Sequence, residues 1–323
     1  MLHPATPELS AMLPSTTYFE VDSAIVGARF GIWVTTPPRY DLELDAVYPV
    51  IFQPDGNAAV AMTAPATALL RDHPVAPIQP FIQVGVGYRG VDAARWLAVR
   101  ARDLLPPGEP LLPGVDEESV NSLVPAGVLD QEGADLYLHH LRNPAGEKFL
   151  AFLLDELYPL ISAEFRVDDS VTGLHGYSYG GLFATYAALQ RTRINRIGVG
   201  SAGILAGAST VFASYEAELT SGADHHDRML HMTIGAPEIT DRSVYQAAVT
   251  AGSVEFMRLA QQTPLRGLAF SAKIIADESH ATGWAASWFS FLRTCFPGQQ
   301  SGLFGDGADA DPTPPLAKGS DHA

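Results

Sequence analysis

Short apolar runs, most of them closed by glycine- or proline-bearing turns, alternate along this chain with stretches whose apolar positions recur three and four apart. Val47–Gln53, Phe81–Tyr88, Val171–Tyr177, Ile194–Val199, Met229–Gly235 and Leu268–Ile275 are the runs. They predict strands, Phe81–Tyr88 being of the near-continuous apolar kind that a buried parallel strand requires and Val171–Tyr177 a short buried one. Tyr18–Thr36 predicts a hairpin turning at Gly27 and ending at Pro37-Pro38. Helical spacing covers Ala58–Arg71 in spite of Pro65, and Glu147–Phe165, where Pro159 kinks or shortens the helix. It recurs after Ser178 as far as Gln190, over Ser243–Gln262 and over Ala285–Phe296. Leu104–Asp130 is rich in proline, glycine and acids and predicts a long loop. Strand and helix in alternation predict an α/β class: a doubly wound, mainly parallel sheet in a single domain. No internal repeat and no second core is visible. Residues 1–17 are expected to form an arm, 18–296 the domain, and the Gly/Pro/Asp/Ser-rich 297–323 a disordered tail.

One turn in this pattern carries chemistry. Gly176-Tyr177-Ser178-Tyr179-Gly180 sets a serine between two glycines where a strand gives way to a helix. Such a turn strains the serine backbone and lifts its hydroxyl clear, and the glycines keep Cβ atoms out of the bend. A serine hydroxyl needs a base, and in this chain order the base comes last, after an acid. His280 follows the final predicted strand and takes that place. For the acid, Glu238 stands just past the strand Met229–Gly235, where such sheets put function, with Asp241, Asp277 and Glu278 as alternatives. The oxyanion of a tetrahedral intermediate needs two donors. The backbone N–H of Tyr179 is one; the turn Asp55-Gly56-Asn57 offers the other from Gly56 or Asn57.

Charge changes the list of partners. The 36 acidic against 20 basic residues give a formal net charge of −16, which argues against nucleic acid or an anionic membrane surface. The one cysteine, Cys295, excludes an intrachain disulfide and sits among aromatic residues, so it is expected to be a buried apolar filler. No secretory leader and no apolar stretch of about 20 residues is visible, which predicts a soluble, cytoplasmic protein. His225, His226, Asp227 and His231 are expected to form a solvated loop rather than a metal site, and His139 and His140 to lie on a helix face. No nucleotide-binding fingerprint occurs, so no cofactor is expected.

With these residues in view, the chain resembles the esterase-D-like branch of the α/β-hydrolases over about residues 18–296, and most closely its enterobactin-type siderophore esterases. Tyr48-Pro49-Val50 leading into Asp55-Gly56-Asn57, Arg100 to Leu104, the elbow with Gly180-Gly181, and Glu278-Ser279-His280 carry the likeness in order. The resemblance implies an α/β-hydrolase fold with Ser178 as nucleophile, His280 as base, and Gly56 and Tyr179 as oxyanion donors. It sets Arg100, or else Arg102, at the arginine facing the active site; Asn57 is assigned to substrate contact with it. Arg102 pairing structurally with Asp103 is the other reading. Gln53-Pro54 and Gly200-Ser201-Ala202-Gly203 depart from the family's usual residues. The expected function is serine carboxylic-ester hydrolysis of a small-molecule ester, a siderophore-type ester being the example the resemblance supplies. An acyltransferase, a thioester hydrolase and a catalytically silent binding module are the alternatives. Oligomeric state is left open.

Overall fold

The computed structural model describes residues 12–70, 77–241 and 244–299. Its strands are β1 (Thr16–Ser23), β2 (Ala28–Thr35), β3 (Tyr48–Pro54), β4 (Ile82–Tyr88), β5 (Val167–Tyr177), β6 (Ile194–Gly200), β7 (Met229–Gly235) and β8 (Ala269–Ile275). They form one sheet in the order β1-β2-β4-β3-β5-β6-β7-β8. From β4 to β8 every neighbouring pair is parallel, and β2 joins β1 and β4 antiparallel. The predicted α/β, mainly parallel sheet with helices on both faces is the architecture found. β1 starts at Thr16, inside the stretch assigned to the arm; residues 1–11 and 300–323 lie outside the described residues.

Alternation along the central strands divides the core between the two faces. Val50 and Phe52 of β3 face a large cluster with Phe30, Leu153 and Phe183, whereas Ile51 faces a smaller one with Phe81, Trp288, Phe291 and Phe296. On the smaller side, Trp288 also donates its Nε1 to Thr67 Oγ1 at 3.0 Å, tying α1 (Gly56–Ala68) to the C-terminal helix, Gly283–Cys295. Cys295 is buried there, and burial pushes its thiol up to about 12, away from reactive thiolate chemistry.

Three departures from the sequence pattern have local causes. β5 begins four residues before Val171, because Val167 pairs with Tyr48 and recruits polar Asp168 and Asp169 into the strand. The helix over Gly146–Glu164 is widened ahead of Pro159: Phe152–Leu157 takes a π turn. Proline has no N–H for the carbonyl four residues earlier, so the wider turn falls where that bond is missing. The predicted loop Leu104–Asp130 contains a short helix, Glu117–Asn121, closed by a reciprocal Asp116–Ser119 capping box. Helices Gly90–Ala94, α2 (Trp96–Leu104), Thr210–Ser221 and Ala236–Thr240 were not legible either.

The chain leaves β3, β5, β6, β7 and β8 at their carboxyl ends into the segments holding Asp55, Ser178, Ser201, Glu238 and His280. These five residues, far apart in sequence, therefore sit along one rim of the sheet, where open parallel sheets place their sites.

Candidate active site

Ser178 links β5 to α3 (Tyr179–Ala188) with φ 58° and ψ −117°, a conformation that non-glycine residues seldom adopt. The surroundings hold it there. Its N–H donates to the Gly200 carbonyl at 3.0 Å, and its carbonyl accepts from Leu182 N at 3.0 Å and Gly203 N at 3.1 Å. Gly176 is required by close approach: a Cβ there would lie 1.9 Å from the Gly180 carbonyl oxygen.

His280 Nε2 lies 3.1 Å from Ser178 Oγ, and its Nδ1 lies 2.9 Å from Glu238 Oε2. A carboxylate on Nδ1 favours the tautomer protonated there and leaves Nε2 as an acceptor facing the serine hydroxyl. The histidine loop is fixed from below, where Tyr177 Oη donates to the His280 carbonyl at 2.9 Å while its ring stacks on Trp284 at 5.4 Å.

Glu238 is 4 % exposed and its other oxygen is also engaged. Oε1 accepts from Ser201 Oγ at 2.6 Å and from Gly235 N at 3.0 Å. Burial by itself would raise this carboxyl. The hydrogen bonds from His280, Ser201 and Gly235, with the charge of His280, outweigh burial and hold it below its usual value. Among the four acids left open by the sequence, Glu238 is the one hydrogen-bonded to Nδ1. Asp241 lies at the far end of the short helix Ala236–Thr240.

Tyr179 and Gly56 each open a helix, so their N–H groups have no intrahelical acceptor. Asp55, at φ 60°, turns the chain sharply from β3 into α1. Its Oδ2 lies 3.5 Å from where a Cβ on Gly180 would stand, which brings the two turns side by side.

Asn57 and Arg100, assigned to substrate contact, are both committed to protein groups. Asn57 spans the backbone of Tyr88, donating to its carbonyl at 2.7 Å and accepting its N–H at 2.6 Å. Arg100 extends from α2 onto Asp55, with Nη2 donating to Oδ2 at 3.0 Å and Nε 2.6 Å from Oδ1; both side chains are buried. Its guanidinium also sits 4.9 Å from the Trp96 ring and 5.3 Å from the Tyr179 ring. Arg102 pairs with Asp103, as its structural reading supposed.

The histidine stretch 225–231 is not uniformly solvated. His225 is buried against Glu218 at 3.0 Å, and His231 is buried between Ser271 at 2.8 Å and Ser290 at 2.9 Å. Both positions face inward, His225 at the base of Thr210–Ser221 and His231 within β7, which corrects the expectation of an exposed loop. Among the described residues no group of three or more His, Cys, Asp or Glu side chains is gathered as a metal site would need. No described helix is long and apolar enough to cross a membrane.

Sequence reasoning missed Ser201, Asp55 and Trp284. Ser201 and Asp55 could have been found as polar residues just past the carboxyl end of a predicted strand, the same signal that picked out Glu238. Trp284 carried no signal of its own, because a tryptophan opening an apolar helix reads as core.

Comparison with known proteins now has a geometry to meet. A model of the family described as "Putative esterase" matches residues 114–247. No curated protein matches the chain in sequence. Among solved structures, the IroE-like serine hydrolase from Shewanella oneidensis is 20 % identical, with a TM-score of 0.66 over 87 % of this chain and 80 % of that one. The siderophore hydrolase EstB from Aspergillus nidulans is 22 % identical, with a TM-score of 0.67 over 91 % of this chain and 98 % of its own. The BES protein from Bacillus cereus is 20 % identical, with a TM-score of 0.67 over 92 % of this chain and 100 % of that one. Residues 114–247 thus match the model of the putative esterase family, and the chain shares its α/β fold with proteins titled IroE-like serine hydrolase and siderophore hydrolase.

Proposed function

We propose that this protein is a serine carboxylic-ester hydrolase that works through an acyl-enzyme on a small-molecule ester. The observation that carries the proposal is the continuous hydrogen-bonded line Ser178 Oγ–His280–Glu238, anchored on a serine held at φ 58°. Ser178 Oγ attacks the ester carbonyl as His280 Nε2 takes its proton. The tetrahedral oxyanion is received by the N–H groups of Gly56 and Tyr179. His280 returns the proton to the departing alcohol oxygen, the C–O bond breaks, and the acyl group stays on Ser178. Water repeats the sequence, giving its proton to His280 and releasing the acid and free serine. Glu238 keeps Nδ1 protonated and steadies the imidazolium formed in each half-reaction. Its depressed pKa suits that role, since only the carboxylate can offset the new charge.

Ester hydrolysis is also the coarse reading that the family match supports. Siderophore-type esters enter as test substrates because two neighbours are titled siderophore hydrolases.

The test is hydrolysis of p-nitrophenyl acetate and butyrate by the protein and by Ser178→Ala, with intact mass measured after a fluorophosphonate. Turnover and a single adduct, both absent in the variant, are expected. Equal turnover by Ser178→Ala would overturn the assignment. Transfer of the acyl group to an added alcohol in preference to water would convert it to an acyltransferase.

A further inference from the structure

A cavity of about 240 Å³ opens beside the proposed oxyanion turn, walled by Asp55, Asn57, Ala58, Tyr88, Trp96 and Trp284. Its position ties it to the reacting centre from two sides. Asp55, Asn57 and Ala58 flank Gly56, and Trp284 stacks on Tyr177, which precedes Ser178 and holds the His280 carbonyl.

The charged and amide groups in this wall are already satisfied. Asp55 is neutralised by Arg100, and both ends of the Asn57 amide are taken by the Tyr88 backbone. An anionic group would have to draw Arg100 away from a buried carboxylate, and a cation would find that carboxylate already paired. What the cavity offers instead is aromatic surface: Trp96, half exposed, and Trp284, whose indole Nε1 is buried with no hydrogen-bond partner.

Size narrows the occupant further. A cavity of roughly 150 Å³ takes up benzene, and complete ligand sites run from roughly 300 Å³ upward. At about 240 Å³ this one fits a single substituted ring rather than a whole ligand. We propose that it is the subsite for one uncharged aromatic ring of the ester. The proposal rests on the esterase reading. A larger ester, siderophore-type included, would insert one ring here and leave the remainder outside.

Ser178→Ala protein titrated calorimetrically with methyl benzoate, benzyl acetate, methyl acetate and sodium benzoate tests binding without turnover. The wild type, Trp96→Ala and Trp284→Phe assayed on benzyl acetate against ethyl acetate test selectivity. The uncharged ring esters should bind at least tenfold more tightly than methyl acetate and than benzoate. Trp96→Ala, altered at a half-exposed position that leaves the core intact, should lower the benzyl-to-ethyl ratio of kcat/KM about tenfold. Trp284→Phe keeps a ring face in the wall and should lower that ratio less than Trp96→Ala does. Tighter binding of benzoate than of methyl benzoate, or a selectivity ratio unmoved in Trp96→Ala, would overturn the subsite. Ring binding that Trp96→Ala abolishes, in a protein without ester turnover, would leave the subsite standing and remove the esterase reading.

Discussion

Arg100 and Asp55 form a buried ion pair at the turn that presents the Gly56 N–H, and Arg100→Met tests what the pair does. The side chains are only 8 % and 7 % exposed. Removing the cation leaves Asp55 as an uncompensated buried carboxylate, a change that costs about 3–5 kcal/mol. That is a large part of the roughly 5–15 kcal/mol by which a domain is stable. With a urea dependence of about 3 kcal/mol per M, the unfolding midpoint should fall by roughly 1 M. Because Asp55 sits at φ 60° immediately before Gly56, the same change should loosen a proposed oxyanion donor and lower kcat. Complete loss of one such donor costs about 10²–10³-fold, which sets the upper limit. Urea unfolding followed by tryptophan fluorescence, with p-nitrophenyl acetate kinetics on the folded fraction, reads both effects. Arg100→Met/Asp55→Asn should recover much of the stability, since both charges leave together. An unchanged midpoint in Arg100→Met, with a rise in KM confined to anionic esters, would refute this positioning role and return Arg100 to substrate binding.

Four further expectations can be checked directly. Glu238→Gln should lower kcat with little change in KM and, because Glu238 is held below its usual pKa, remove stability that is present above pH ~4.5 and lost as pH falls further; thermal melts from pH 7 to 3 check this. Burial holds His175 down at about 3 and His140 and His231 at about 4, all below the usual 6.5, so the unfolded chain binds more protons below pH 6.5. Stability should therefore be full above about pH 6.5 and decline below it by up to about 1.4 kcal/mol per pH unit for each histidine, seen as a falling urea midpoint that flattens in His231→Gln. Phe291→Ala, at a fully buried site between β6 and the C-terminal helix, should cost about 3–5 kcal/mol by urea unfolding. Ser201→Ala removes one of three hydrogen bonds on Glu238 and should lower kcat less than Glu238→Ala does; an equal loss would make Ser201 more than a support.

The central strands were legible because a parallel strand buried on both faces must be apolar throughout, and β7 was read to the residue, whereas the edge strand β8 is apolar in part yet largely exposed. The start of β5 was not legible, because polar Asp168 and Asp169 enter the strand only behind Val167, whose partner is Tyr48 of β3. Helix Thr210–Ser221 buries Val211 and Tyr215 but has little amphipathic contrast, so its periodicity was faint. Within the candidate site, Ser178 and His280 were readable from a turn motif and from chain order. Glu238 was singled out from its strand end alone, with three other acids still open.

The sequence by itself determined the α/β architecture, the serine turn and the order in which its partners follow. Local sterics and hydrophobic alternation act between near neighbours, and so are written in the chain. Which carboxylate reaches His280, that Arg100 spends its charge on Asp55, and that Trp96 and Trp284 enclose one cavity were decided only by tertiary structure. Each depends on where separate strands end along a shared rim, and that alignment is set by sheet register and helix packing between segments up to two hundred residues apart.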